Sequence, residues 1–136
     1  TDFYTDAEVV SGFKDLVRFL LERVNTETGV AYKDEPAILA WETGNELDYD
    51  DVKEGLPTSA IMDAWTSDLS AFIKSLDPNH LVIDGRLLKN RDVSPSALSD
   101  PNTDVISDHF YPNLPHTFQE RLEHLLAFTR GRKPFL

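Results

Sequence analysis

The feature that most constrains this chain is its alternation of short, continuously apolar runs with amphipathic segments of helical period. Ala37-Ile38-Leu39-Ala40-Trp41, Leu81-Val82-Ile83 and Val105-Ile106 are apolar without alternation. That is the pattern of strands buried on both faces. Before the first run, Val9, Phe13, Leu16, Val17, Leu20, Leu21 and Val24 recur at three- and four-residue spacing. They predict a helix from about Asp6 to Asn25, capped by Thr5-x-x-Glu8 and ended at Thr28-Gly29. A second helix is predicted from Thr58 to Leu76, with Ile61, Met62, Trp65, Leu69, Phe72, Ile73 and Leu76 inward and Asp77-Pro78-Asn79 as its stop. Ser96-Ala97-Leu98 reads as a helical turn in the polar stretch from Arg86 to Thr103. A third helix, Pro115 to Thr129, is expected to turn Phe118, Leu122, Leu125 and Leu126 inward, and Lys133-Pro134-Phe135-Leu136 opens a further strand.

Strands alternating with helices imply a parallel sheet covered by helices, an α/β fold. No Gly-x-Gly-x-x-Gly or Walker-type loop follows any strand, so a nucleotide-binding doubly wound sheet lacks its best support. The (β/α)8 TIM barrel remains, and it collects its sites at the C-terminal ends of its strands. Polar residues crowd those ends here: Glu42 to Asp48, Asp84-Gly85 and Asp108 to Pro112. A complete barrel takes about 250 residues, so residues 1–136 read as one partial barrel domain. An open half-barrel exposes sheet edges and an apolar helical face, which predicts self-association. A first residue of Thr1 in place of Met points to a processed or excised chain.

Composition narrows the partners. With 13 basic and 24 acidic residues the net charge is −11, a surface that repels phosphate backbones and anionic lipid, so neither nucleic acid nor a membrane is expected. A neutral substrate is compatible with it. The absence of cysteine removes disulfides, thiolate catalysis and Cys-type zinc sites together. His80, His116 and His124 have no paired metal-ligand spacing, and no cofactor or metal is expected.

Two clusters can carry chemistry. In Trp41-Glu42-Thr43-Gly44-Asn45-Glu46 a carboxylate, preceded by an amide, stands at the mouth of a buried strand. Apolar walls there can raise the Glu46 carboxyl towards neutrality for general acid–base work, while Asn45 can bind a substrate hydroxyl. The same residues also fit a solvated acidic loop, since Asp48, Asp50 and Asp51 follow. In Asp108-His109-Phe110-Tyr111-Pro112, His109 and Tyr111 share parity and point to one side of an extended segment. They suit orienting a carboxylate and binding sugar hydroxyls, and equally an ordinary core histidine with a rim aromatic. Ser107, Asp108 and His109 are the residue types of a hydrolytic triad, but consecutive strand residues alternate sides and do not converge.

Taken together, these segments resemble glycoside hydrolase family 5, and most of all its endo-β-1,4-mannanases. The residues that carry the likeness are Phe3-Tyr4-Thr5-Asp6, Val24-Asn25-Thr26, Gly29 to Asp34, Ile38 to Leu47, Ile73 to His80 and Ser107 to Pro112, in order along the chain. The resemblance implies a retaining hydrolase in a TIM barrel, with this chain running from the helix after strand three to the start of strand seven. Glu46 is then the general acid/base, Asn45 contacts the hydroxyl beside the anomeric carbon, and His109 and Tyr111 belong to the sixth-strand site. The substrate implied is a neutral β-mannan polysaccharide or oligosaccharide, and the localisation implied is extracellular. Retaining chemistry needs a second carboxylate about 5–5.5 Å from the first. The family carries it at the end of strand seven, past Leu136, so the 136 residues alone are expected to be inactive. Asp84 and Glu42 are expected to hold the acid/base or its loop in place. A β-1,4-glucanase of the same family, or a glycan-binding half-barrel using Trp41, His109 and Tyr111, remain as alternatives.

Overall fold

The computed structural model describes residues 2–47, 59–86, 95–109, 111 and 117–136. Its helices are α1 (Asp2–Thr5), α2 (Ala7–Glu22), α3 (Ser59–Leu76), α4 (Pro95–Ser99) and α5 (Phe118–Thr129), and its strands are β1 (Ala40–Glu42) and β2 (Leu81–Ile83). β1 and β2 pair in parallel, with Ala40 opposite Leu81, Trp41 opposite Val82 and Glu42 opposite Ile83. Parallel bridges then carry the ladder onward from Ile83 to Val105 and from Ile106 to Phe135. The four apolar segments therefore lie side by side in chain order, with helices returning between them, as the alternation predicts.

Side chains alternate across such a sheet. Trp41, Val82 and Ile106 face the helices: Val82 is buried among Leu21, Met62, Trp65, Leu69 and Ile73, with Trp41 packed against that cluster. Ile106 is buried with Ala97, Leu98 and Leu125. Glu42 and Ile83 consequently face the opposite side, the interior of the sheet's curve. Around Trp65 the rings of Phe3, Tyr4 and Phe13 lie with centroids 5.2–5.4 Å away, edge-on or tilted as aromatic quadrupoles prefer. Those contacts account for α1, which periodicity alone does not predict.

Several expectations are corrected. The cap of α2 is Asp6, whose carboxylate accepts from the amides of Glu8 and Val9, so the capping box read at Thr5 is not the cap that forms. The helix ends at Glu22, because Val24 and Ala31 form an antiparallel bridge around the turn at Gly29. The strand expected over residues 37–41 begins only at Ala40, since Ile38 is drawn into a turn by its amide bond to the Glu35 carbonyl. In α5, Leu125 is buried, but Phe118 and Leu126 are 61% and 54% exposed. The helix is rotated so that Arg121 and Thr129 face inward, because Arg121 forms a buried ion pair with Asp108.

Only part of the α2 stripe is used. Leu21 is buried and Phe13 and Val17 are packed on the core, whereas Leu16 of the stripe, and Phe19 outside it, are 59% and 62% exposed. With Leu20, Tyr32, Trp41 and Ile73 they line an apolar cleft of about 510 Å³ beside β1. In a closed barrel every strand has two neighbours. β1 has one among the described residues, and this cleft runs along its other edge.

A polar knot ties the N-terminal ends of β1 and β2 to the end of α3. Asp77, 1% exposed, accepts from the Trp41 indole at 2.6 Å and from the amides of Asn79 and His80. The His80 ring lies 2.6 Å from the same carboxylate and 3.0 Å from the Glu35 carbonyl. Burial pushes the Asp77 carboxyl up, and the hydrogen bonds from Trp41, His80 and Asn79 more than offset it, leaving it below the ordinary range. A carboxyl lowered on folding contributes stability above its unfolded value, near pH 4, and loses it as pH falls through the lower folded value. Asp77→Ala is expected to cost about 3 kcal/mol at pH 7 in urea unfolding, as breaking a buried charged network does. The gap from the native chain should narrow below about pH 4.

Candidate active site

The site is built where the parallel ladder ends. Past Glu42 the chain stays tied to β2: the Thr43 amide donates to the Ile83 carbonyl at 3.1 Å, and its hydroxyl donates to the Asp84 carbonyl at 2.7 Å. Gly44-Asn45-Glu46-Leu47 then arches over and is pinned again by the Leu47 amide, 3.2 Å from the Gly85 carbonyl. Gly85 sits at φ 69°, and a β-carbon there would stand 2.4 Å from the Gly44 carbonyl oxygen. Only glycine permits that approach. Between the two pins Glu46 is held at φ 54°, a left-handed conformation uncommon for a non-glycine residue and found preferentially at functional sites.

The two sequence clusters meet at one atom. Glu46 Oε1 accepts from His109 Nδ1 at 2.8 Å and from the Tyr111 hydroxyl. His109 Nε2, on the far side of the ring, stands 3.9 Å from Glu42 Oε1, so the imidazole lies between two carboxylates. Asn45 is exposed beside Glu46. Thus Glu46, His109 and Tyr111 converge, with His109 and Tyr111 on one side of their segment as parity predicts, and Asn45 borders them.

One electrostatic expectation is reversed. The Glu46 carboxyl lies below its ordinary value, because the Tyr111 hydroxyl and His109 both donate to it, and hydrogen bonds to the charged form favour ionisation. Burial of its side chain, 17% exposed, pushes the carboxyl up, but by less than these two bonds lower it. Trp41 does not join this cluster: its indole turns to Asp77 on the helical side and packs against the core there. Asp48, Asp50 and Asp51 lie outside the described residues.

Beyond Asp84 and Glu42, sequence reasoning missed one support beneath the cluster. Asp108, next to His109, is buried against Arg121 of α5. Burial raises the Asp108 carboxyl, and the guanidinium only partly offsets this. An arginine on a predicted inner helical face was the available signal. Among the described residues no three His, Asp or Glu side chains converge as a metal would require.

A parallel sheet with helical cover that gathers a carboxylate, a histidine and a tyrosine at its C-terminal strand ends matches where (β/α)8 barrels place their sites. Comparison gives the family. The sequence profile described as "GH family 5 beta-mannosidase-like" matches residues 1–124, and the chain belongs to that family. Mannan endo-1,4-beta-mannosidase 4 of Oryza sativa subsp. japonica is 48% identical over 85 residues, 62% of this chain and 17% of the rice protein. The crystal structure of the endo-1,4-beta-mannanase from Rhizomucor miehei superposes at a TM-score of 0.78 with 30% identity, covering 98% of this chain and 44% of that one. The endo-beta-1,4-mannanase from Thermotoga petrophila gives 0.79 at 28% identity, covering 98% and 34%. The chain therefore spans less than half the length of these relatives, and its fold is part of a TIM barrel.

Two outcomes follow from the site geometry. Gly85→Ala forces a left-handed backbone on a residue with a β-carbon, which alone costs about 1–2 kcal/mol. Contact with Gly44 adds to it, and thermal unfolding should record the loss. Tyr111→Phe and His109→Ala should each raise the midpoint at which Glu46 titrates, Tyr111→Phe by more, read by carboxyl carbon NMR.

Proposed function

We propose that this chain carries the acid/base half of the active site of a retaining endo-β-1,4-mannanase, acting on neutral β-mannan. The observation that carries the reading is the meeting of Glu46, at the end of β1, with His109 and Tyr111 from two strands away. Glu46 protonates the glycosidic oxygen and later takes a proton from water. Asn45 binds the hydroxyl beside the anomeric carbon. His109 and Tyr111 hold the carboxylate in its strained, left-handed position. Family membership and the names of the mannanase relatives support the substrate class, as does a charge of −11, which disfavours an anionic polymer.

A general acid must hold its proton near the working pH, whereas Glu46 with its two donors lies below the usual carboxylate range. A nucleophilic carboxylate about 5–5.5 Å away supplies the opposing force, since like charge raises a neighbouring carboxyl. In the complete barrel Glu46 thus acts as acid because its partner is ionised. A polymeric substrate does not enter cells, and the same reading places the enzyme outside them.

In an intact enzyme containing this segment, Glu46→Gln is expected to lower kcat on β-mannan by about 10³-fold, within the range for lost general acid–base catalysis, while mannohexaose still binds. An unchanged kcat would remove Glu46 from the chemistry. Hydrolysis of cellulose in preference to mannan would move the substrate to β-1,4-glucan, and binding without turnover by the unaltered enzyme would favour a glycan-binding protein.

A further inference from the structure

Asp84 lies just past β2 and is fully buried. It pairs with neither Glu46 nor His109, yet it lies on the structural route between them. In a parallel ladder a residue donates its amide to a carbonyl of one neighbouring strand and accepts with its carbonyl from the amide two residues further along that same strand. Asp84 keeps the first half of that pattern, its amide reaching the Val105 carbonyl at 3.3 Å. The second half is exchanged. The Ser107 amide, the ladder's next donor, goes to the Asp84 carboxylate at 2.7 Å, joined by the Ser107 hydroxyl at 2.8 Å. The Asp84 carbonyl, released from the ladder, accepts from the Thr43 hydroxyl on the opposite neighbour. One residue therefore grips both flanking segments: Thr43, three residues before Glu46, and Ser107, two residues before His109.

We infer that Asp84 is a positioning residue for the acid/base pair, its side-chain oxygen setting the distance between the Glu46 arch and the His109–Tyr111 segment by replacing a ladder carbonyl. This inference deepens the proposed function by naming what aligns the cluster, and its geometry does not depend on which glycan is cleaved. Asp84 acts through Ser107 and Thr43. The need is for an acceptor, not for a charge. Asp84 Oδ2 is buried without a hydrogen-bond partner among the described residues, and burial pushes the carboxyl up to about 6, against the bonds from Ser107 and the nearby Arg86. Lys133 feels the carboxylate's charge as well. A carboxamide offers Ser107 the same oxygen.

The test reads the Glu46–His109–Tyr111 contact without substrate, so it stands whether or not mannan hydrolysis does. Carboxyl-¹³C glutamate is incorporated into the 136-residue chain, Glu46 is assigned by the signal lost in Glu46→Gln, and its titration is followed by NMR. Among the described residues, His109, Tyr111 and, through His109, Glu42 are the titratable groups around it. With Asp84→Ala the Glu46 midpoint should rise towards that of an ordinary glutamate. Asp84→Asn should keep it near the native value, and Ser107→Ala, which removes the hydroxyl that reaches both Asp84 and the Arg86 carbonyl but leaves the Ser107 amide bond, should shift it part of the way. A native midpoint in folded Asp84→Ala overturns the inference. So does an Asp84→Asn shift as large as that of Asp84→Ala, which would make the effect one of charge. If Asp84→Ala does not fold by circular dichroism, Ser107→Ala decides, and an unmoved midpoint there is the refutation.

Discussion

The parallel register of β1 on β2 is the constraint on which the rest of the molecule depends. With Trp41 opposite Val82 and Glu42 opposite Ile83, the indole enters the helical layer and Glu42 is turned to the other side. Because strand side chains alternate with a period of two, a slip of one residue would exchange them, burying a carboxylate under α3 and opening the Trp41 position to water. Two polar devices secure this register at opposite ends of the strands. At the N-terminal end Asp77 gathers Trp41, Asn79 and His80. At the C-terminal end Thr43, Asp84 and Ser107 replace part of the backbone ladder with side-chain bonds. The first end is tied for stability. The second is tied so that the chain can leave the sheet with Glu46 in a fixed place.

The site shows how a small change in surroundings selects the role of a carboxylate. Glu46 alone with His109 and Tyr111 is a stabilised anion, since both neighbours donate to it. On the proposed retaining mechanism, an acid is made from it by the like charge of the nucleophile. The two carboxylates of such a mechanism are therefore not independently tuned. Each sets the proton affinity of the other, with the histidine and tyrosine holding the geometry in which that coupling acts. The apolar cleft along the free edge of β1 belongs to the same logic at the level of the fold: a strand flanked by two others in a closed barrel has one neighbour among the described residues, and Leu16, Phe19 and Leu20 of α2 are exposed along the gap.

Much of this was legible in the order of residues. Unbroken apolar runs marked the parallel strands, three- and four-residue spacing marked α2 and α3, and Glu46, Asn45, His109 and Tyr111 stood where polar residues follow buried strands. The errors cluster where one long-range contact outweighs a local pattern. Phe118 and Leu126 look inward by periodicity, but the Arg121–Asp108 ion pair rotates α5. Trp41 stands next to Glu42 in the chain and looks like part of the same cluster, but alternation and the Asp77 carboxylate send it to the helical side. Apolar walls were expected to raise Glu46, but two donors arriving from a strand far along the chain lower it.

What the sequence determined by itself is the class of fold and the chemical vocabulary of the site, because hydrophobic periodicity and strand-end polarity are local properties carried by neighbouring residues. What only the tertiary structure decided is which oxygen meets which donor. The contact between Glu46 and His109 joins residues 63 positions apart, and it depends on a backbone bend at Glu46, a glycine that admits no β-carbon at position 85, and a buried aspartate standing in for a ladder carbonyl. The position of Asp84 at a strand mouth was legible, but which bonds it makes was not, since each of these features is defined by the distance to a segment that the sheet alone brings near.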